Sequence, residues 1–157
     1  MTTPAIQALR HAVERNFVQM KRPTLLYVDA TVEGVDVPAN VAAQFGENLV
    51  LDLRAEWPMG LVLDDDGVHA TLAFSGNVYR CNVPWRAIYL VQDQLTKQAF
   101  LVEAHLPKGL GFQTSDGRVH TREGALEASS VEVKHPKDLP TTKDVVRNFR
   151  VVKGGKA

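Results

Sequence analysis

The sequence predicts a mainly β fold with an N-terminal α-helix, in which short strands form a small, highly curved sheet or barrel followed by a flexible C-terminal tail. The first observation is an apolar period of three to four residues near the N-terminus, which is typical of an amphipathic helix. The second is a series of short alternating apolar runs between Pro23 and Val102, separated by turn residues. The third is a change of composition after His105, where large apolar side chains become rare.

The composition limits the class of protein. The chain has 157 residues, which is room for one domain of roughly 100 residues and an appendage. Its 18 lysines and arginines balance 18 aspartates and glutamates, so charge does not indicate a nucleic-acid partner. The one cysteine, Cys81, cannot form an internal disulfide. No leader-like segment and no apolar run of about 18–20 residues is visible, so we expect a cytoplasmic protein without a membrane partner.

The helix is predicted to begin at Thr3 and Pro4 and to end near Pro23. A threonine hydroxyl can accept a free backbone N–H at a helix start, and proline has no N–H to leave unpaired there. The apolar side chains that recur on one face are Ile6, Leu9, Val13, Phe17 and Met20. This stripe is either a lid over the chain's own sheet or a helix-to-helix contact in a dimer, and the sequence leaves both open.

Short strands are predicted after the helix. Alternating apolar residues indicate a first strand at 26–32 and a second at 49–53. The pair Asp66-Gly67 suits a tight turn with positive φ, so a hairpin is predicted to join 61–63 to 68–74. Further predicted strands are 78–83, 87–91 and 99–102, and a short helical piece is expected at 39–44. The strand at 87–91 is apolar without alternation, which indicates burial on both faces.

The chain is predicted to divide into three parts. Residues 1–106 should hold the whole core, and 107–146 should be a flexible linker, because so few apolar side chains cannot offset an ordering cost of about 1–2 kcal/mol per residue. A short extra strand at 110–112 or 131–133 is the alternative within the linker. The tail, residues 147–157, contains the run Phe-Arg-Val-Val-Lys, which predicts docking on a partner; a frayed basic terminus is the alternative.

Candidates for catalysis or metal binding are weak. The adjacent carboxylates at 64–66 lack the ligand spacing of a calcium loop, so a solvated turn is the better interpretation. Cys81 lies on the inward phase of a strand with no motif around it, which favours a buried, inert thiol. The five histidines show no metal-ligand spacing, and no glycine-rich phosphate loop follows a strand. We therefore expect no enzyme, no metal and no cofactor.

Four segments together resemble a known family. They are YVDATVEGVDVP at 27–38, FSG at 74–76, NVP at 82–84 and RVVK at 150–153. Their order, with the RVVK segment beyond a linker, resembles stringent starvation protein B (SspB), the adaptor family of the ClpXP protease. The resemblance implies an N-terminal dimer helix and an Sm-like curved β-barrel with a groove for the ssrA degradation tag. It also implies a tail that binds the N-terminal domain of ClpX.

The resemblance further implies the residues of each site. The tag-binding residues are expected to be Asp52, Leu53, Arg54, Ala55, Leu72, Ala73, Phe74, Ser75 and Gly76. The ClpX-binding residues are expected to be Arg147, Phe149, Arg150, Val151, Val152 and Lys153. The dimer interface is expected at Ile6, Leu9, Val13 and Phe17. For Leu53, Leu72 and Phe74 an ordinary core position is the alternative, and we expect at least one of the three to be core.

The predicted function is an adaptor, acting as a homodimer, that binds ssrA-tagged proteins and tethers them to ClpX for degradation by ClpXP. The tail is expected to be separable from the barrel, because it would bind a partner rather than complete the core. The competing hypothesis is an Sm-like RNA-binding barrel with a basic tail, which the balanced charge disfavours. Binding to RNA phosphates should weaken steeply as salt rises, whereas peptide binding in an apolar groove should not.

Overall fold

The computed structural model describes residues 3–74, 76–108, 110, 112–113, 119–122, 124–126 and 152–154. The helices are α1 (Pro4–Val13) and α2 (Ala39–Phe45). The strands are β1 (Thr24–Val28), β2 (Leu49–Leu53), β3 (Val62–Leu63), β4 (Gly67–Phe74), β5 (Asn77–Pro84), β6 (Ile88–Asp93), β7 (Ala99–Leu101), β8 (Phe112–Gln113), β9 (Val119–Thr121), β10 (Gly124–Leu126) and β11 (Val152–Gly154). The predicted mainly β fold with an N-terminal helix is confirmed.

Two sheets hold these strands. The main sheet has the order β3-β4-β11-β2-β1-β6-β7, with β5 also paired to β4, and the second sheet has the order β10-β9-β8. β4 and β5 pair along their whole length, from Gly67 opposite Pro84 to Phe74 opposite Asn77. The predicted hairpin before β4 is confirmed, since β3 pairs with β4 across the turn at 64–66. Gly67 is required there, because a Cβ on its backbone, at φ +151°, would lie 2.0 Å from the carbonyl oxygen of Val83.

The N-terminal helix is capped as the sequence predicts and lies on the main sheet. The Thr3 hydroxyl accepts a hydrogen bond from the Ile6 N–H at 3.1 Å, and a π-helical turn, Glu14–Gln19, extends the helix beyond α1. Leu9, Val13 and Phe17 are buried in the main core of this same chain, and Ile6 packs against that core. The chain's own sheet therefore covers this stripe, as the first of the two interpretations expects, and a dimer interface at these positions stays a prediction.

The central strands of the main sheet are buried on both faces. One face belongs to the main core under the helix, where β1 contributes Leu26 and Val28. The opposite face forms a second cluster of buried side chains, made of Leu25, Tyr27, Val50, Tyr89, Leu90, Leu106 and Leu110. Leu110 is only 5% exposed, so the buried side chains of this face extend beyond the predicted boundary at residue 106.

Strands also occur inside the range predicted to be a linker. β8, β9 and β10 pair in antiparallel register between residues 112 and 126, within the range 107–146 that the sequence predicts to be a linker. A polar contact ties them to the domain, since His120 Nδ1 lies 2.7 Å from Glu103 Oε2. The apolar periodicity of a sequence cannot predict a polar contact between distant residues. The alternative strand at 131–133 lies outside the described residues.

The end of the chain returns to the main sheet. β11 lies between β2 and β4, with Val152 and Lys153 parallel to β2 and Lys153 and Gly154 antiparallel to β4. The expectation that the tail is separable from the barrel does not hold for these three residues. Their backbone pairs with two strand edges that would otherwise face each other without a strand between them.

Candidate functional site

The candidate site is the gap in the main sheet between β2 and β4, which we call the slot. Its two walls are the strand edges at Leu51 and Asp52 on one side and at Leu72 and Ala73 on the other. A strand edge offers backbone N–H and C=O groups that bind an extended peptide through main-chain hydrogen bonds. Because both walls are strand edges, one peptide in the slot can pair on both sides.

The β4 wall ends at a fixed loop. The Thr71 N–H donates to the Met59 carbonyl at 2.7 Å, on the side of β4 away from β5. Backbone groups alternate in direction along a strand, so the groups of Ala73, two residues later, face the slot. Met59 is buried, and Arg80 Nη1 donates to the Met59 carbonyl at 3.2 Å and to the Gly60 carbonyl at 2.8 Å. This loop therefore closes the slot on the side of β3.

The β2 wall ends at a half-exposed cation. Arg54 Nε donates to Asp52 Oδ2 at 3.2 Å, and Arg54 Nη2 donates to Gln94 Oε1 at 3.0 Å. The Arg54 guanidinium also lies 5.4 Å from the centroid of the Trp57 ring, within the range of a cation–π contact. These contacts hold the guanidinium in one place near the end of β2, where its charge is paired with the Asp52 carboxylate.

The predicted tag-binding residues surround the slot, but their side chains do not all face it. Leu53 and Leu72 are fully buried in the main core, as expected for at least one of the three apolar residues, and Leu72 reaches the slot only through its backbone. Phe74 is half-buried and packs against the same core. Ala55 is exposed in the turn after β2.

The turn after β4 and most of the predicted ClpX-binding residues are less fully described. Gly76 lies in the turn between β4 and β5 with φ +88°. Ser75 lies outside the described residues, as do Arg147, Phe149, Arg150 and Val151. Val152 and Lys153 are in β11.

Three residues at the slot were missed by sequence reasoning. Leu51 is the partner of Val152, Met59 accepts the β4 hydrogen bond, and Gly154 pairs with Leu72. The alternation of β2 was enough to place Leu51 on a strand, but nothing local indicates that its far edge takes a parallel partner. No sequence signal distinguishes Met59 from an ordinary loop residue.

Other chemistry in the described parts of the chain is limited. Cys81 is buried and free, and burial raises the pKa of its thiol to about 12, with the nearby Asp36 carboxylate adding to the shift. Among residues that the structure describes, no group of three or more His, Cys, Asp or Glu side chains could hold a metal ion. No helix in the described ranges is long and apolar enough to cross a membrane.

Comparison with known proteins connects this fold to one family. A family model described as stringent starvation protein B matches residues 5–153. The match includes the N-terminal helix, both walls of the slot and the first two residues of β11. Comparison with curated proteins gives no match.

Proposed function

Because the chain belongs to the stringent starvation protein B (SspB) family, a family of protease adaptors, we propose that it binds ssrA-type degradation tags and tethers the tagged proteins to ClpX for degradation by ClpXP in the cytoplasm. The observation that carries this proposal is the slot, whose walls at Asp52 and Ala73 pair with an extended backbone on both sides. A degradation tag is a short peptide, and addition as a strand is a common way to bind one.

The chemistry of the slot suits a peptide without large side chains. Ala73 contributes only a methyl group, and Leu53 and Leu72 are committed to the core, so specificity has to come from the backbone and from the slot's ends. At one end the fixed Arg54 guanidinium can pair with an acidic or polar group of the tag. The proposed tag-binding residues therefore act in two ways, the strands through their backbone and Arg54 through its charge.

The tail supplies the second binding site in this proposal. Arg147, Phe149, Arg150, Val151, Val152 and Lys153 would bind the N-terminal domain of ClpX. Holding cargo and unfoldase on one chain makes the second binding step intramolecular, which can raise the apparent affinity by about 10²–10⁴-fold without any new contact. Two weak sites on one chain are then sufficient for delivery.

A homodimer remains part of the proposal, and an exposed surface beside the helix is a second candidate for its interface. Met20 and Phe100, 44% and 37% exposed, line a cavity of about 360 Å³ between the end of the helix and β7. β7 is the last strand in the order of the main sheet, so a second copy can approach it from the side. Sedimentation of the full chain tests this, and a monomer at all concentrations would overturn it.

The test of tag binding is fluorescence anisotropy of a labelled ssrA peptide with the full chain. In the variant Ala73→Pro the slot loses a backbone donor, so we expect affinity to fall by about tenfold or more. Ala99→Pro, the same change on β7 at the other end of the sheet, is the control and should bind as the parent does. Circular dichroism of both variants shows whether the fold is retained.

The salt dependence of the same measurement separates this function from RNA binding. Peptide affinity should change little with salt, whereas an RNA oligonucleotide bound through its phosphates would be released steeply. A chain that binds RNA with such a slope and does not bind the ssrA peptide would overturn the proposed function. For delivery, the measurement is the rate at which ClpXP degrades an ssrA-tagged substrate, which should fall when residues 147–157 are deleted.

A further inference from the structure

The slot already contains a peptide segment of this chain. We propose that β11 is an internal occupant of the tag-binding slot, so that a bound tag and a docked tail exclude each other. Lys153 lies opposite Asp52 on one wall and opposite Ala73 on the other, and both are residues expected to bind the tag. This proposal rests on the proposed function, because it assigns the tag to the same slot.

The dimensions of a sheet allow one occupant only. Neighbouring strands lie about 4.8 Å apart, so β2 and β4 are separated by about 9.6 Å with one strand between them. Each backbone N–H and C=O on a wall has one partner in a ladder. A tag that pairs with Asp52 and Ala73 therefore has to displace Lys153 from both.

The tail competes from within the same chain, so even a weak contact matters. An internal segment acts at an effective concentration that reaches the millimolar range for short, flexible connections. The apparent affinity for a tag equals the intrinsic affinity multiplied by the fraction of chains whose slot is open. If β11 fills the slot about nine-tenths of the time, the tag binds about tenfold more weakly than it would to an empty slot.

The competition also links the two partners of the adaptor. Val152 and Lys153 are both strand residues in the slot and expected contacts of ClpX. A tag that enters the slot releases them, and a ClpX domain that binds them opens the slot. Because coupling between two sites is reciprocal, each partner should raise the affinity of the other by the same factor. An adaptor without cargo would then present its tail less often than a loaded one.

A disulfide between the two paired positions tests the place of β11 directly. In the full chain with Ala73→Cys and Lys153→Cys, the two Cα atoms should lie about 4.5–5.5 Å apart, within the range of a disulfide. The control is Val78→Cys with Lys153→Cys, because Val78 pairs with Ala73 on the other edge of β4 and is a strand further from β11. Native Cys81 is buried and should not interfere.

We expect the first pair to form an intramolecular disulfide on mild oxidation and the control pair not to form one. The oxidised first variant should bind the ssrA peptide at least about tenfold more weakly than the same variant after reduction. Absence of the disulfide, or equal binding by the oxidised and reduced forms, would overturn the proposal.

Opening the slot should have the opposite effect. Deleting residues 147–157, or replacing Val152 and Gly154 with proline, should strengthen peptide binding. The gain in affinity should equal the loss that β11 causes by filling the slot, which is about tenfold if the slot is filled nine-tenths of the time. Saturating ssrA peptide should strengthen binding of the full chain to the ClpX N-terminal domain by the same factor.

The outcomes separate this proposal from the proposed function. A chain that binds the peptide equally well with and without its tail overturns the competition and leaves the adaptor function standing. A chain that binds no ssrA peptide in any form, including the tail deletion, overturns the adaptor function and the competition with it.

Discussion

The rings of Tyr27 and Tyr89 meet edge to face on the side of the main sheet away from the helix, with centroids 6.3 Å apart and an angle of 77° between the planes. Both are about 1% exposed, and each hydroxyl has a partner, Gln92 Oε1 at 3.0 Å for Tyr27 and the Glu47 carbonyl at 2.8 Å for Tyr89. This second cluster of buried side chains depends on residues beyond 106, because Leu110 belongs to it.

Leu110→Ala should therefore destabilise the domain. Removing a buried leucine side chain costs about 2–5 kcal/mol of unfolding free energy, including the cavity that remains. Leu95→Ala is the matched control, because Leu95 is 67% exposed and its truncation should change stability by no more than about 0.5 kcal/mol. Denaturant unfolding of both variants gives the comparison, and equal midpoints would contradict the place of Leu110 in the fold.

Leu9→Ala tests the assignment of the helix stripe to the chain's own core. Leu9 is fully buried, so we expect a loss of about 2–5 kcal/mol with no change in the sedimentation coefficient of the folded protein. Val18→Ala is the control on the exposed side of the same helix, since Val18 is 50% exposed. A variant that stays as stable as the parent but changes its oligomeric state would show that the stripe is an interface after all.

Cys81 should be unreactive while the protein is folded. Burial raises the pKa of its thiol to about 12, so almost no thiolate is present at pH 8, and the side chain is 1% exposed. A thiol reagent such as DTNB should modify none of the native protein and one thiol per chain in denaturant. Val78→Cys, on the same strand but 54% exposed, should react rapidly as a positive control. Rapid modification of the native parent would contradict the burial of Cys81.

His69 should make the stability of the domain depend on pH. Its Nδ1 lies 2.6 Å from Asn82 Oδ1 and its Nε2 lies 2.9 Å from Asp64 Oδ1, and these two hydrogen bonds raise the pKa of the imidazole above 6.5. A raised pKa means that the folded state favours the protonated ring. The contribution is therefore complete below pH 6.5 and is lost as the pH rises through the pKa of the folded state.

Asp64 sets the acid limit of the pH range in which the contact with His69 stabilises the domain. The hydrogen bond from His69 lowers the pKa of the Asp64 carboxyl below 3.8, against the opposing effect of burial. Its contribution is present above pH 3.8 and is lost as the pH falls through the lowered value. As the pH rises from 6 to 8, the denaturant midpoint of the parent should therefore decrease relative to that of His69→Gln. Because both proteins contain His105, whose pKa is lowered by burial, the difference between them reports on His69 alone. Parallel pH profiles for the two proteins would contradict the contact.

Local sequence determined most of the elements. Thr3 and Pro4 begin the helix because their chemistry suits its first turn, wherever the helix then packs. The turn at 64–66 forms where it was predicted because only a glycine fits the backbone at position 67. The alternation of β2 places Leu49, Leu51 and Leu53 on one face. These features depend on neighbours along the chain, so they can be predicted from the sequence.

Tertiary structure alone decided what covers each apolar face and fills each strand edge. The stripe with Leu9 and Val13 is equally suited to a partner helix and to the chain's own sheet, and only the sheet's position settles which one it meets. Leu110 joins the second cluster although it stands between two glycines, in a stretch without apolar periodicity. Lys153 lies between Asp52 and Ala73 because the backbone of both wall edges pairs with the backbone of β11. The side-chain pattern of the tail does not indicate such backbone pairing. A periodic pattern specifies which side of an element is apolar, while its partner is chosen by distant segments competing for that side.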